Sequence, residues 1–196
     1  MTLSAHFKLW LIIGICSLAV NLLITEARYD LIIKNEMKQI EKFFGEEVAQ
    51  DIYDTSMSFM KSYFGFFIDQ IKAARTFENE ASSVFSMTFV LESIVKTTHI
   101  LVLRFLSITV WMKWIIPFMI FLIVDAFVSR RIRSEDLTWQ SPMYYHLATH
   151  GLVFTVGALF AYFLIPAPVM IWITPLFILL FIASMSLAIA NFQRLT

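Results

Sequence analysis

The sequence predicts an all-α membrane protein with four transmembrane helices and a long helical hairpin inserted between the first and second spans. Hydrophobic residues make up 59% of the 196 residues, whereas soluble domains are roughly 45–50% apolar. Apolar segments of membrane-spanning length recur along the chain. Between the first two of them, apolar residues follow helical spacing among many charged residues. Together these observations indicate lipid-facing helices and one long amphipathic insertion.

The first span is predicted within residues 1–25, which also hold a short cytoplasmic N-terminus. Residues 9–25 are uncharged and just long enough to cross a bilayer, which takes ~17–25 residues. A cleavable signal peptide is the alternative, because Thr25-Glu26-Ala27 loosely fits a small-x-small cleavage site. The apolar run is long for a signal peptide, so we expect an uncleaved signal anchor.

Residues 26–107 are expected to form the amphipathic hairpin outside the membrane core. Twelve of the fifteen acidic residues lie here, with no proline and only two glycines. Residues 78–83, ENEASS, are the expected break between the two arms, with Asn79 or Ser82 as a helix cap. Since neither glycine nor proline separates Phe66 from Ile116, the second arm is expected to continue into the second span as one helix.

Three further spans complete the prediction. The second covers residues 108–128, the third residues 150–165, with its helix beginning near Pro142, and the fourth residues 169–190. Pro166-Ala167-Pro168 joins the third and fourth spans as a tight turn, because a proline disfavours helical conformation at the residue before it. Residues 129–149 form a polar connection, and residues 191–196 form a short tail.

The positive charges of the short loops predict the orientation. Arg130, Arg131 and Arg133 lie in the 129–149 connection and Arg194 lies in the tail, whereas the Pro166–Pro168 turn has no basic residue. Short loops rich in Lys and Arg stay in the cytoplasm. Both termini are therefore expected in the cytoplasm, and residues 26–107 on the outer side of the membrane, which is the periplasm in a Gram-negative bacterium.

Small residues indicate where the last two spans pack. Gly157 and Ala161 in the third span, and Ser184 and Ala188 in the fourth, are each four residues apart and so share a helix face. Small residues on one face let membrane helices approach closely. We expect these four residues to lie where the third and fourth spans meet.

No catalytic, metal or cofactor site is predicted. The five glycines are scattered singly, so no phosphate-binding loop is present, and no G-x-S-x-G motif occurs. His146 and His150 have a metal-ligand spacing, but neither a cysteine nor an H-E-x-x-H motif accompanies them. Cys16 is the single cysteine and fits a membrane helix. A net charge of zero argues against direct nucleic-acid binding.

The polar residues around the 129–149 connection are the candidates for a partner interface. Asp125, the only acid in the four spans, is expected to reach the inner interface and pair with Arg130 or with another residue of the connection. The three arginines suit a helix C-terminus and the headgroups of membrane lipids. Ser141 and Pro142 read as helix cap and first helical residue. Beyond them, Tyr145 and His146 lie in the first turns of the third span.

The stretch from 124 to 148 resembles a family of inner-membrane proteins of integrating conjugative elements and conjugative plasmids, called TraJ in some plasmid systems. The family pattern is similar to D-G-x-x-x-R-x-x-R followed by S-x-x-Y-H between two spans. Here Asp125, Arg130 and Arg133 match its first part. Ser141, Tyr145 and His146 correspond to its second part, with one more residue between the serine and the tyrosine. The other departure is Ala126, where the family usually has glycine.

The resemblance implies a non-enzymatic component of a conjugative DNA-transfer apparatus, a type IV secretion system. The implied partner is the coupling ATPase of the VirD4/TraG type, which brings DNA to the secretion channel. Contact through the spans, the cytoplasmic loop or the periplasmic hairpin stays open, as does a homo-oligomeric or hetero-oligomeric state. The alternative is a small membrane channel or transporter subunit, disfavoured because the spans hold no facing set of polar residues.

Overall fold

Six helices form the chain in a computed structural model that describes residues 3–77, 87–135 and 142–192. In order they are α1 (Leu3–Asn21), α2 (Glu26–Phe44), α3 (Glu46–Phe77), α4 (Met87–Glu135), α5 (Pro142–Leu164) and α6 (Ile173–Ala190). These described ranges contain no strand. The predicted all-α class is therefore confirmed, whereas the expected break at residues 78–83 lies outside the described residues.

Three helices are long and apolar enough to cross a membrane. They are the Thr88–Ile132 part of α4, all of α5 and all of α6. A fourth candidate consists of α1 and α2 together, a pair that passes the same test but is bent by 117° between them. The described chain thus holds three candidate spans, or four if the bent pair is one span.

The bend between α1 and α2 lies at residues 22–25, within the apolar segment expected to be one straight span. Helix α1 ends at Asn21, earlier than the predicted Thr25, and Thr25 takes an extended conformation with φ −79° and ψ 157°. The Asn21 side chain donates hydrogen bonds to the carbonyl oxygens of Ser17 (3.0 Å) and Leu164 (2.5 Å). The polar residue therefore ties the end of α1 to the end of α5.

Residues 26–107 differ from the expected two-armed hairpin, because the first arm is split at Gly45. This glycine has φ +91° and ψ 164°, a conformation that L side chains rarely adopt, and its N–H donates to Glu41 O at 2.9 Å. Helices α2 and α3 pack against each other. The segment therefore contributes three helices, α2, α3 and the first part of α4, where two arms were predicted.

Helix α4 runs without interruption for 49 residues, as expected for an arm that continues into a span. At 1.5 Å per residue it is about 73 Å long, more than twice the ~30 Å hydrocarbon core of a bilayer. Pro117 lies inside the helix without ending it. If α4 crosses a bilayer, part of the helix therefore extends well beyond the membrane.

The chain divides into two compact units, and each has its own apolar core. The first unit comprises Met1–Ile12, Ile108–Phe160 and Trp172–Thr196. Its core joins α4 and α6 through Ile115, Ile178 and Ile182, with Trp111, Met119 and Phe181 packed around them. The second unit comprises Ile13–Ser107 and Ala161–Ile171. Its core contains Ile24, Ile32 and Ile100 with Tyr29 and Ile33.

Candidate functional site

The predicted interface residues lie at the end of α4 and the start of α5, in the first unit. Helix α4 extends to Glu135, seven residues beyond the predicted end of the second span, and α5 begins at Pro142 as expected. Ser141 lies outside the described residues, and the side chain of Arg133 is likewise not among those described. The connection between the two helices is therefore shorter than the predicted 129–149 loop.

Arg130 belongs to an aromatic cluster that joins the ends of three helices. Its guanidinium carbon lies 5.1 Å from the ring centre of Phe192, which follows α6. The same ring meets Tyr145 of α5 edge-on at 5.8 Å, and Tyr145 meets His146 edge-on at 6.1 Å. Cation–π and edge-to-face contacts of this kind stabilise a fixed geometry. The cluster holds Arg130 and Tyr145 in place at this end of the unit.

The expected ion pair between Asp125 and Arg130 is absent between these two described side chains, because the guanidinium of Arg130 packs over the ring of Phe192. Asp125 itself is exposed, as are Arg131 and His146. Ala126, where the family pattern has glycine, is buried with 1% exposure. The methyl group at this position is therefore accommodated inside the helix packing.

Of the small residues expected where α5 and α6 meet, Gly157 contacts α1 and not α6, whereas Ser184 of α6 does contact α5. A Cβ built on Gly157 would overlap the indole ring of Trp10 in α1. The lack of a side chain at Gly157 therefore lets α1 pack closely against α5. Ser184 of α6 faces Gly151 instead, whose added Cβ would lie 2.5 Å from the serine Oγ. In the second unit Ala161 is buried, and Ala188 in the first is half-buried. The close approach of α5 and α6 thus occurs at Gly151, about 1.7 turns before Gly157.

The most connected polar group of the described chain was missed by the sequence analysis: the buried ion pair of Arg104 and Glu36 in the second unit. Arg104 is fully buried and the Glu36 side chain nearly so. Arg104 Nε donates to both carboxylate oxygens, at 3.0 and 3.3 Å, and Nη2 donates to Oε1 at 2.5 Å. This bidentate geometry is the strongest form of a charge-assisted hydrogen bond.

Arg104 also caps the C-terminus of α5. Its Nη1 donates to the carbonyl oxygens of Tyr162 (2.6 Å), Phe163 (3.2 Å) and Ile165 (2.9 Å), and its Nη2 to that of Ala167 (2.7 Å). The last carbonyls of a helix have no partner within it and carry its negative dipole end. A buried arginine at this position therefore satisfies both the carbonyls and its own five N–H groups.

Helix α2 holds the rest of the turn between α5 and α6. The backbone N–H of Val169 donates to Glu36 Oε1 at 3.5 Å, and that of Ile171 donates to Gln39 Oε1 at 2.8 Å. The Pro166-Ala167-Pro168 turn is thus fixed from one side by α4 and from the other by α2. We call this set, Glu36, Gln39, Arg104 and the backbone of residues 162–171, the turn clamp.

A second buried polar group lies where α2, α3 and α4 meet. The Tyr29 hydroxyl contacts His99 Nδ1, and Ser56 Oγ lies 3.1 Å from His99 Nε2 while donating to Tyr53 O at 2.7 Å. Because the serine hydrogen is used for Tyr53, Nε2 must carry the histidine proton and Nδ1 must accept from Tyr29. The network is satisfied with a neutral histidine, so it serves to fix the three helices.

The sequence did carry a signal for both residues of the ion pair, Glu36 and Arg104. Glu36 lies midway between Ile32 and Ile40 at intervals of four, so it falls on the buried face of α2. Arg104 is the sole charged residue between Lys96 and Lys113, and it lies within the otherwise apolar stretch of residues 100–106. A charge on an apolar helix face needs a partner of opposite charge. This rule requires a partner of opposite charge for each of the two residues. The sequence alone does not show that Arg104 and Glu36 contact each other.

The structure separates the two histidines that have a metal-ligand spacing, His146 and His150. Within the described ranges, no group of three or more His, Cys, Asp or Glu side chains is placed to hold a metal ion. His146 is exposed, and the ring of His150 packs at 5.1 Å against that of His6 in α1. The two histidines of the i, i+4 pair therefore take separate roles at the start of α5.

Comparison with known proteins identifies the family. No curated protein and no solved structure matches the chain. Residues 27–193 match a family model described as "IncC plasmid conjugative DNA transfer protein DtrJ-like". The match covers most of the chain, including the turn clamp and the cluster of Arg130, Tyr145 and Phe192. The resemblance to conjugation proteins seen in the sequence is confirmed, and the chain belongs to the DtrJ-like family of conjugative DNA transfer proteins.

Proposed function

We propose that this chain is a non-enzymatic, four-span inner-membrane component of a conjugative type IV secretion system that binds or assembles the VirD4/TraG-type coupling ATPase. The family match over residues 27–193 is the observation that carries the proposal, because its description concerns conjugative DNA transfer. The apolar helices support a membrane location. A protein embedded beside the secretion channel is suited to hold or assemble the motor that delivers DNA to it.

The proposed orientation places the arginines of α4 in the cytoplasm and residues 26–107 in the periplasm. The turn clamp supports it, because the turn between α5 and α6 bonds directly to α2 through Glu36 and Gln39. Two groups that are in direct contact outside the hydrocarbon core lie on the same side of a membrane. If α5 crosses the bilayer, its N-terminal end, with Tyr145, then lies on the opposite side, where the arginines of α4 fit the positive-inside rule.

The proposed partner surface is the exposed face at the start of α5 and the end of α4. In α5, Met143 is 77% exposed and Tyr144 54% exposed, and His146 is exposed two residues further on; in α4, Arg131 is exposed near the end of the helix. Methionine, tyrosine and arginine are enriched at protein interfaces. The Arg130–Phe192 contact fixes the helix ends under this face, which lowers the entropy lost when a partner binds.

The test replaces two residues of this face, Arg131→Glu together with Tyr144→Ala. Losing a central aromatic contact and reversing one charge should lower conjugation frequency roughly 10- to 100-fold. Capture of the coupling ATPase in mild detergent should fall in parallel. The matched control, Leu176→Ala with Leu179→Ala, removes two exposed leucines from the membrane face of α6 and should leave transfer unchanged.

Two outcomes would contradict the proposal. Unchanged transfer at normal protein levels would make the face a topological anchor without a partner. Ion flux through the purified protein alone in liposomes would instead support a channel or transporter subunit. Detergent extraction and gel filtration of each variant separate loss of binding from loss of folding.

A further inference from the structure

A groove with a basic wall lies beside the turn clamp, in the second unit. Its volume is about 310 Å³, and it is formed by α2 and the connection between α5 and α6. The lining residues are Asn35, Lys38, Gln39 and Lys42 from α2, with Pro168 and Met170 from the connection. One wall is therefore cationic and amide-bearing, and the other is apolar.

The charge of this groove is not neutralised by the protein. Lys38 and Lys42 are four residues apart on one face of α2 and both are exposed. Neither takes part in an ion pair with any described residue, and none of the described lining residues is acidic. Glu41, the acid between them in sequence, does not line the groove. Two uncompensated ammonium groups favour an anionic ligand.

The groove is also held in shape before any ligand binds. Arg104 Nη2 donates to Ala167 O at 2.7 Å, and Gln39 Oε1 accepts the N–H of Ile171 at 2.8 Å. These bonds flank Pro168 and Met170 and fix the apolar wall. Because the Gln39 oxygen is used for Ile171, its amide nitrogen stays available to donate to a ligand.

The position of the groove identifies the ligand class. Its apolar wall belongs to the connection between two candidate membrane spans, so it lies at the boundary between hydrocarbon and water, where phospholipid phosphates are found. Lysine is a common phosphate-binding residue, and an exposed proline and methionine suit the glycerol and first acyl carbons. We propose that this groove binds the headgroup of an anionic phospholipid, with Lys38 and Lys42 on the phosphate.

This inference does not depend on the coupling ATPase, and it is tested on the purified full chain in dodecyl maltoside. Phosphatidylglycerol added to saturation should raise the Tm by roughly 5–10 °C, whereas phosphatidylcholine should not. The variant Lys38→Gln/Lys42→Gln should lose most of this rise. The control Lys34→Gln/Lys61→Gln removes the same charge from exposed positions outside the groove and should keep it. Native mass spectrometry should show fewer bound phosphatidylglycerol molecules only in the first variant.

Three results would overturn the proposal. One is an equal rise in Tm for the groove variant and the wild-type chain. Another is an equal loss in both double variants, which would reflect general charge attraction at the membrane surface. The third is a rise with inorganic phosphate alone that matches the rise with phosphatidylglycerol, because the groove would then bind free phosphate and not a lipid.

Discussion

Arg104 is the residue on which the second unit depends, and its chemistry explains why an arginine is there. Its guanidinium presents five N–H groups in a planar fork, and these meet the Glu36 carboxylate on one edge and the carbonyls of residues 162–167 on the other. A lysine has three donors and no fork. A charge buried in an apolar environment is tolerated only when each of its hydrogen-bonding groups has a partner.

The first prediction concerns the two sides of this ion pair. Arg104→Met should lower the free energy of unfolding by roughly 3–5 kcal/mol, because it leaves a buried carboxylate and several carbonyl oxygens without donors. Glu36→Gln should cost a similar amount, roughly 3–5 kcal/mol, because it leaves the guanidinium of Arg104 buried without a counter-charge. Denaturant titration in mixed micelles measures both. Lys61→Met, at an exposed position of α3, is the control and should change stability by no more than about 0.5 kcal/mol.

A second prediction concerns the histidine network. Ser56→Ala removes the acceptor of the His99 Nε2 proton and should destabilise the chain by roughly 1–3 kcal/mol, since a buried donor is left without a partner. Ser58→Ala, two residues along on the exposed side of α3, should have little effect. The same unfolding titration compares the two variants. Equal stability of both would mean that the buried serine contributes nothing to the junction of α2, α3 and α4.

At the scale of elements, Gly45 decides where α2 ends and α3 begins. Its backbone, with φ +91° and ψ 164°, lies in a region that is essentially restricted to glycine. Gly65, in the interior of α3, has helical surroundings, and a Cβ added there would meet no atom within 4 Å. The two glycines of residues 26–107 therefore have opposite physical roles.

The third prediction uses this contrast. Gly45→Ala should destabilise the chain by roughly 1–3 kcal/mol, because alanine is strained at a positive φ. Gly65→Ala should stabilise it by roughly 0.5–1 kcal/mol, because alanine loses less backbone entropy in a helix. Thermal unfolding of both variants in one detergent checks the difference in sign. A stabilising Gly45→Ala would show that α2 and α3 can join as one helix.

Hydrophobic spacing was sufficient to predict the helices but not their breaks. The continuation of α4 from the amphipathic arm into the span followed from the absence of glycine and proline, and it is confirmed. The break at Gly45 was not predicted, because an isolated glycine is tolerated inside many helices. The bend after Asn21 was missed for a different reason. The Asn21 side chain that ends α1 donates a hydrogen bond to Leu164 O, a partner 143 residues away that no local pattern reveals.

The same limit applied to the candidate sites. Arg130, Tyr145 and His146 were identified in the sequence from their positions between two spans. The structure adds Phe192, which contacts both Arg130 and Tyr145. Arg104 and Glu36 were overlooked, although each is a charge on an apolar helix face. Their pairing requires knowledge that α2 and α4 meet, which periodicity within one helix does not supply.

At the scale of the whole molecule, the central issue is how the chain crosses the membrane. The turn between α5 and α6 is bound by α2, so we propose that these two elements share one side of the membrane. The proposed orientation puts the N-terminal end of α5 and the arginines of α4 on the cytoplasmic side. Helix α4, about 73 Å long, exceeds the membrane core.

The last prediction tests this topology with single cysteines in a Cys16→Ser background, which removes the native thiol. Glu47→Cys, at an exposed position of α3, should react with a membrane-impermeant maleimide in intact spheroplasts, because α3 is proposed to be periplasmic. Tyr144→Cys should react only after the membrane is permeabilised, because the start of α5 is proposed to face the cytoplasm. The background protein controls for non-specific labelling. If Tyr144→Cys reacts in intact spheroplasts and Glu47→Cys does not, the orientation is inverted. If both react, α5 does not span the bilayer in the way that the turn clamp and the positive-inside rule require.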